Sequence, residues 1–150
     1  MHAPQAIRDD PLYEPLLRPR AAAERRRVLL AEDDLDMLRL LARVLEREGY
    51  DVVTAEDGIG LLDRLEATTW ADPAQHFDAV VADINIPGLS ALDILAGLGS
   101  AGAATPVVLI TASGDEATRA EARQLGALAV LDKPLVLDEL RRVVRRAVGR

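Results

Sequence analysis

The stretch that decides the fold is Ala79-Val80-Val81-Ala82-Asp83, in which four apolar residues end on an acid. Three further apolar runs also end on polar residues: Val28-Leu29-Leu30-Ala31 before Glu32-Asp33-Asp34, Val107-Val108-Leu109-Ile110 before Thr111, and Ala129-Val130-Leu131 before Asp132-Lys133. Continuous apolar runs of this length are typical of parallel strands that helices cover on both faces. Ligands of such sheets bind beyond the carboxyl ends of the strands. We therefore expect these polar residues to converge on one site for a divalent cation and a phosphoryl group.

Helical patterns separate the predicted strands. Leucine and valine recur at helical spacing in the longest of them, and a further strand is predicted over residues 51–55. The predicted helices span about residues 35–48, 57–67, 90–98, 115–125 and 137–148. Gly49 follows the first helix in the position that glycine commonly takes at a helix C-terminus. Five strands that alternate with five helices predict an α/β fold with parallel strands and right-handed crossovers.

The composition indicates one globular domain without disulfides. The 150 residues are 49% apolar and include no cysteine, which excludes thiolate metal sites. The net charge of −7 is unevenly spread, because residues 1–27 carry +2 and residues 28–150 carry −9. A nucleic-acid interface needs a basic footprint, so the acidic charge of residues 28–150 argues against nucleic acid as a partner.

The first 27 residues differ from the rest of the chain. They hold four of the eight prolines and show no sustained periodicity, which predicts a flexible N-terminal extension before a single domain over residues 28–150. No apolar stretch approaches the roughly 18 residues that a membrane-spanning helix requires. The N-terminus also lacks the layout of a signal peptide. We therefore expect a cytoplasmic protein that has no membrane partner.

Four motifs, taken together, resemble a two-component response-regulator receiver domain. They are Glu32-Asp33, Asp83 with Asn85 and Pro87, Thr111-Ala112, and Lys133-Pro134, and the resemblance covers about residues 27–150. The family implies a flavodoxin-like, doubly wound (βα)5 parallel sheet with strand order 2-1-3-4-5. That order makes the first and third strands neighbours and gathers the four motifs at one end of the sheet.

The resemblance implies a phosphoacceptor and a metal site. Asp83 would accept the phosphoryl group from a sensor histidine kinase or a histidine phosphotransfer protein. Asp33 and Asp83 would bind Mg2+ directly, together with the backbone carbonyl of Asn85, and Glu32 would act on the metal through a water molecule. Hard oxygen ligands of this kind suit Mg2+. Capping of the following helix is the alternative role for these acids, and Asp34 or Asp36 is placed to do so in addition.

The same resemblance assigns Thr111, Ala112 and Lys133 to phosphoryl binding and switching. Lys133 is the only lysine among 18 lysine and arginine residues, and a compact ammonium suits a phosphoryl oxygen. Thr111 would donate its hydroxyl to another oxygen, although strand propensity alone also explains a threonine there. In the family the Lys133–Pro134 bond is cis, which would aim the lysine inward.

The chain also departs from the family pattern. Val130 stands where the family usually has an aromatic residue that swings when the threonine moves, and Ala91 stands where it often has glycine. The segment at 68–77 is longer than usual. The resemblance implies a downstream protein partner on the face formed by the fourth helix, fifth strand and fifth helix, and it leaves a homodimer open. The departures put the signalling route in question.

Two other functions stand as alternatives. A haloacid-dehalogenase-like phosphatase also places an aspartate, a threonine and a lysine at strand ends. It needs a second acid two residues after its nucleophile, where this chain has Asn85, and its nucleophile follows the first strand rather than the third. The other alternative is a receiver that binds partners without being phosphorylated, and the intact acids, Thr111 and Lys133 argue against it. We therefore expect a signalling domain rather than an enzyme.

Overall fold

The structure, a computed structural model, describes residues 25–67, 76–100, 104–112 and 115–149. Most of the predicted N-terminal extension lies outside the described residues, as does most of the predicted loop at 68–77. Within the described ranges, no helix is both long and apolar enough to cross a membrane.

Five parallel strands form one sheet in the order β2-β1-β3-β4-β5. The strands are β1 (Arg27–Ala31), β2 (Asp51–Ala55), β3 (Ala79–Asp83), β4 (Val107–Thr111) and β5 (Ala129–Asp132). They alternate with the helices α1 (Leu35–Arg47), α2 (Gly58–Ala67), α3 (Ala91–Ser100), α4 (Glu116–Gln124) and α5 (Leu137–Ala147). The alternating parallel strands and helices that the sequence pattern predicts are confirmed, as is the flavodoxin-like (βα)5 fold that the resemblance implies.

The observed bounds differ from the predicted ones by at most a few residues, for local reasons. β1 begins at Arg27, one residue early, because the Arg27 N–H donates to Asp78 Oδ2 at 2.7 Å and fixes the chain there. α2 begins at Gly58 because Asp57 lies outside the helix and its carboxylate accepts the Gly60 N–H at 2.7 Å. α3 extends slightly beyond its predicted end.

Apolar side chains pack on both faces of the sheet. Val28 and Leu30 of β1 pack with residues of α1 and α5, whereas Leu29 and Ala31 pack with residues of α2, α3 and α4. Every residue of β3 and β4 is buried, as expected for central strands of a parallel sheet. Burial of each leucine contributes about 2 kcal/mol to folding. The core therefore fixes the strand ends from which the polar residues emerge.

Side chains and a glycine define both ends of α1 and the start of α4. Asp34 caps α1 by accepting the N–H of Met37 at 3.2 Å. Asp115 caps α4 by accepting the N–H of Thr118 at 3.0 Å. Gly49 takes a φ of +95° after α1, which glycine adopts without the strain that a side chain would cause. Of the two acids predicted to cap this helix, Asp34 does so and Asp36 lies in the first turn, and the helix end predicted at Gly49 is confirmed.

Replacement of Asp115 by alanine should loosen the first turn of α4. The hydrogen bond from the Thr118 amide lowers the pKa of the Asp115 carboxyl below its ordinary value of 3.8. An acid with a lowered folded-state pKa stabilises the fold above its unfolded pKa, and this contribution is lost as the pH falls through the folded value. Amide exchange at Thr118 should be faster in Asp115→Ala at neutral pH, and the difference should shrink once acid protonates Asp115. Equal rates at neutral pH would contradict the capping role.

Candidate functional site

The sheet order brings the polar ends of several strands to one edge. β1 lies beside β3 with Ala31 opposite Ala82, so Glu32 and Asp83 follow at the same level. β4 lies on the other side of β3 and ends on Thr111, and β5 lies beyond β4. Residues that are far apart in the sequence therefore start from neighbouring strand ends.

Three acids cluster at this edge: Glu32, Asp33 and Asp83. One carboxylate oxygen from each lies within 4.8 Å of the other two. Glu32 and Asp83 are buried, with 0% and 4% of their surface exposed, whereas Asp33 is exposed. Carboxylates this close repel one another, and their removal from water adds a desolvation cost. The arrangement therefore needs positive charge close by.

Lys133 supplies that charge. Its Nζ lies 2.6 Å from Asp83 Oδ2 and 2.8 Å from Glu32 Oε1. Burial lowers the pKa of Lys133, but the hydrogen bonds with Asp83 and Glu32 outweigh burial and raise this pKa above its ordinary value. The lysine is therefore held in its charged form. Because one ammonium faces three carboxylates, the cluster keeps an excess of negative charge.

Backbone N–H groups fix the two buried carboxylates. Asn85 donates to Asp83 Oδ1 at 2.8 Å, so both oxygens of Asp83 are held. The N–H groups of Asp33 and Asp34 donate to Glu32 Oε2 at 2.9 and 3.3 Å. Burial nevertheless raises the pKa of Glu32, because the hydrogen bonds from Lys133 and from the Asp34 backbone only partly oppose the desolvation. The orientation of Asp83 is thus set in part by its own loop.

Thr111 and Ala112 lie at the same edge. Thr111 is buried, and its backbone carbonyl accepts the N–H of Lys133 at 2.9 Å. Ala112 is exposed. The Lys133–Pro134 bond is cis, as the resemblance implies. The structure thus joins Thr111 to the site through the lysine backbone, while the roles expected of the Thr111 hydroxyl and of Ala112 stay predictions.

Two contacts beside the site involve residues to which the sequence pattern gives no role. The backbone N–H of Gly58, at the start of α2, donates to the carbonyl of Pro87 at 2.8 Å. Arg119 of α4 forms an ion pair with Asp132 at the end of β5. For the first contact the sequence gives one hint, which is the glycine at the first position of α2. Glycine costs backbone entropy in a helix, so its presence there suggests that a side chain would not fit. The second contact has no local signal.

The donor set fits a hard divalent cation. Glu32, Asp33 and Asp83 offer carboxylate oxygens, which Mg2+ and Ca2+ prefer to nitrogen or sulfur ligands. The exposure of Asp33 leaves a route to the cluster from solvent. A bound cation would offset the negative charge that Lys133 alone leaves uncompensated.

A family model described as the response regulator receiver domain matches residues 28–145. The chain belongs to this family. Response regulator protein PmrA of Pseudomonas aeruginosa is 39% identical over 128 residues, which cover 83% of this chain and 55% of PmrA. Transcriptional regulatory protein TcrA of Mycobacterium tuberculosis is 38% identical over 114 residues, which cover 76% of this chain and 42% of TcrA. The receiver chain thus spans about half the length of these relatives.

A solved receiver has the same fold. The crystal structure of a response regulator receiver domain protein from Clostridium thermocellum matches with a TM-score of 0.74 at 26% identity, and the match covers 83% of this chain and 95% of that one. The resemblance that the four motifs suggest is therefore confirmed. This chain is a receiver domain of the kind found in two-component systems.

Replacement of Lys133 by methionine should destabilise the receiver. The change leaves the Asp83 and Glu32 carboxylates buried without their shared ammonium, and the loss of one partner of a buried ion pair costs about 3 kcal/mol. Urea unfolding in the presence of a chelator measures the loss of unfolding free energy without interference from bound cations. A second change, Glu32→Gln, should recover part of the loss because it removes one of the stranded charges.

The control for this prediction is Arg142→Met, which removes an exposed cation from α5. Surface changes of this kind usually alter stability by less than about 0.5 kcal/mol. If Lys133→Met costs no more than Arg142→Met, the ion pairs do not carry the stabilising role assigned to them.

Proposed function

We propose that Asp83 accepts a phosphoryl group from a phosphohistidine of a sensor histidine kinase or a histidine phosphotransfer protein. The observation that supports this proposal is the 2.6 Å contact between Lys133 Nζ and Asp83 Oδ2, beside two further acids. A carboxylate that only stabilised the fold would gain nothing from two like charges nearby. Clusters of like charge that oppose folding are expected in natural proteins mainly at functional sites.

In the proposed reaction, an Asp83 oxygen forms a bond to phosphorus while the bond between phosphorus and the donor histidine nitrogen breaks. The electron pair of the broken bond stays on the imidazole, which takes up a proton, and Asp83 becomes an acyl phosphate. Lys133 would hold one phosphoryl oxygen through its ammonium, and Thr111 would donate its hydroxyl to another. Because Lys133 already contacts Asp83, its charge is in place before the donor arrives.

Asp33, Asp83 and the backbone carbonyl of Asn85 would hold Mg2+ in this receiver. When bound, the ion neutralises the repulsion between the carboxylate and the incoming phosphoryl oxygens. Glu32 would act through a water molecule. An indirect role suits Glu32 because one of its oxygens already pairs with Lys133 and the other accepts backbone N–H groups.

Incubation with acetyl phosphate and Mg2+ should modify Asp83 alone. Hydroxylamine traps an acyl phosphate, and mass spectrometry then locates it. Asp83→Asn should lose the modification, whereas Asp93→Asn, which removes an exposed acid from α3, should keep it. Wild-type levels of modification in Asp83→Asn would refute the assignment. Steady turnover of a phosphomonoester would instead support the phosphatase alternative.

Asp33→Asn and Asp34→Asn form a matched pair for the metal. The two acids are neighbours, but only Asp33 belongs to the acid cluster, while Asp34 caps α1. A ligand at 100 times its Kd stabilises a protein by about 2.7 kcal/mol. Mg2+ should therefore raise the melting temperature of the wild type and of Asp34→Asn, and raise that of Asp33→Asn much less. An equal rise in Asp33→Asn would place the metal elsewhere.

We further propose that a downstream protein binds the face formed by α4, β5 and α5, in the cytoplasm. PmrA is named a response regulator protein and TcrA a transcriptional regulatory protein, which supports a regulatory output through a downstream protein. On this face Val130 is half-buried and packs against the core between the sheet and α2, α3 and α4. A homodimer through the same face is the competing assembly, and a size measurement with and without a phosphoryl mimic separates the two.

A further inference from the structure

Gly58, the first residue of α2, lies directly against the β3–α3 loop, residues 84–90. Its backbone N–H donates to the carbonyl of Pro87 at 2.8 Å. A Cβ atom at position 58 would lie 2.1 Å from the carbonyl oxygen of Leu89 and 2.5 Å from its nitrogen. Close-packed atoms do not approach one another to such distances. Only glycine therefore fits at position 58 while the loop keeps its course.

The β3–α3 loop also carries groups of the candidate site. At its start, the N–H of Ile84 donates to the carbonyl of Ile110 at 2.8 Å, and the N–H of Asn85 donates to Asp83 Oδ1 at 2.8 Å. Further along, the loop rests on α2 at Gly58. The Asn85 carbonyl lies in the segment between these two anchors, so both anchors determine where it sits.

We propose that Gly58 is a positioning residue for the Mg2+ site, because it lets α2 hold the β3–α3 loop in the course that presents the Asn85 carbonyl to the ion. This inference rests on the proposed function, in which Asn85 is a metal ligand. Gly58 offers no ligand itself and acts through Pro87 and Leu89. Mg2+ demands near-ideal octahedral geometry, so a shift of the loop weakens binding while every ligand remains present.

Gly58→Ala tests the inference against a matched control, Gly97→Ala. Both glycines lie in helices, but a Cβ atom at Gly97 would meet nothing within 4 Å. Alanine at Gly97 therefore changes helix propensity alone. At Gly58 the same substitution must displace the backbone of Leu89. Thermal melting of each variant without metal separates a loss of stability from a loss of metal binding.

Isothermal titration with Mg2+, below the melting temperature of every variant, should show the difference. Loss of an interaction that orients a metal ligand commonly costs about tenfold in affinity. We expect about a tenfold higher Kd in Gly58→Ala and an unchanged Kd in Gly97→Ala. With acetyl phosphate as donor, the Mg2+ concentration at half-maximal rate should rise by the same factor, while the rate at saturating Mg2+ changes little. A merely structural role would lower the melting temperature and leave the Kd of the folded protein unchanged.

Wild-type protein gives an independent measurement if Gly58→Ala does not fold. Coupling between two sites is reciprocal, so bound Mg2+ should strengthen the contact between α2 and the loop. Amide exchange at Gly58 should slow on addition of Mg2+, by up to about the tenfold factor of the affinity change. The amide of Asp78, which donates to the Arg27 carbonyl where β1 begins, is the internal control; it reports only the general stabilisation by Mg2+ and should slow less than the Gly58 amide.

Two results would overturn the inference: a wild-type Kd for Mg2+ in folded Gly58→Ala, or an unchanged exchange rate at Gly58 when the wild type is saturated with Mg2+. Failure of the proposed function looks different. In that case the wild type itself shows no binding of Mg2+ in the titration, and Asp33→Asn behaves as the wild type does.

Discussion

The ammonium of Lys133 between Asp83 and Glu32 is the interaction on which the rest of the site depends. Burial of a carboxylate costs several kcal/mol, which is offset only by a close counter-charge and further hydrogen bonds. Asp83 ends β3, Glu32 follows β1, and Lys133 follows β5, so the contact exists only in this strand order. The Lys133 side chain must also extend across the end of β4 to contact Asp83. The hydrogen bond from the Lys133 backbone N–H to the Thr111 carbonyl fixes the position of the lysine backbone.

Charge at the site is not arranged for stability alone. The Lys133 ammonium contacts Glu32 and Asp83, and Asp33 adds a third carboxylate to the cluster. Like charges at this distance oppose folding. The excess of negative charge in the acid cluster attracts a cation strongly. The same excess explains why Lys133 is held in its charged form. Repulsion among the acids lowers the stability of the fold. The apolar side chains buried on both faces of the sheet offset this loss and lie outside the acid cluster.

Much of the fold could be predicted from the sequence, because a parallel sheet covered on both faces needs unbroken apolar runs, and β1, β3 and β4 are such runs. The convergence of Asp83 and Lys133 follows from the strand order. The contact of Gly58 with Leu89 could not be predicted, since it depends on how closely α2 approaches a loop that lies about 30 residues away. The ion pair between Arg119 and Asp132 could not be predicted either. Because α4 is rich in alanine, its apolar pattern does not define which face of the helix packs against the sheet.

An ion pair connects α4 to the strand ends beside the site, where the family pattern suggests an aromatic residue. Val130, where an aromatic residue is usual, is half-buried and offers no ring to repack. Arg119 of α4 instead pairs with Asp132, whose chain neighbour Lys133 holds Asp83. An ion pair at a surface is weak and is screened by salt, unlike a buried ring. We therefore expect the contact between Arg119 and Asp132 to weaken as the ionic strength rises, whereas the core packing of Ala122 in α4 should not respond to salt.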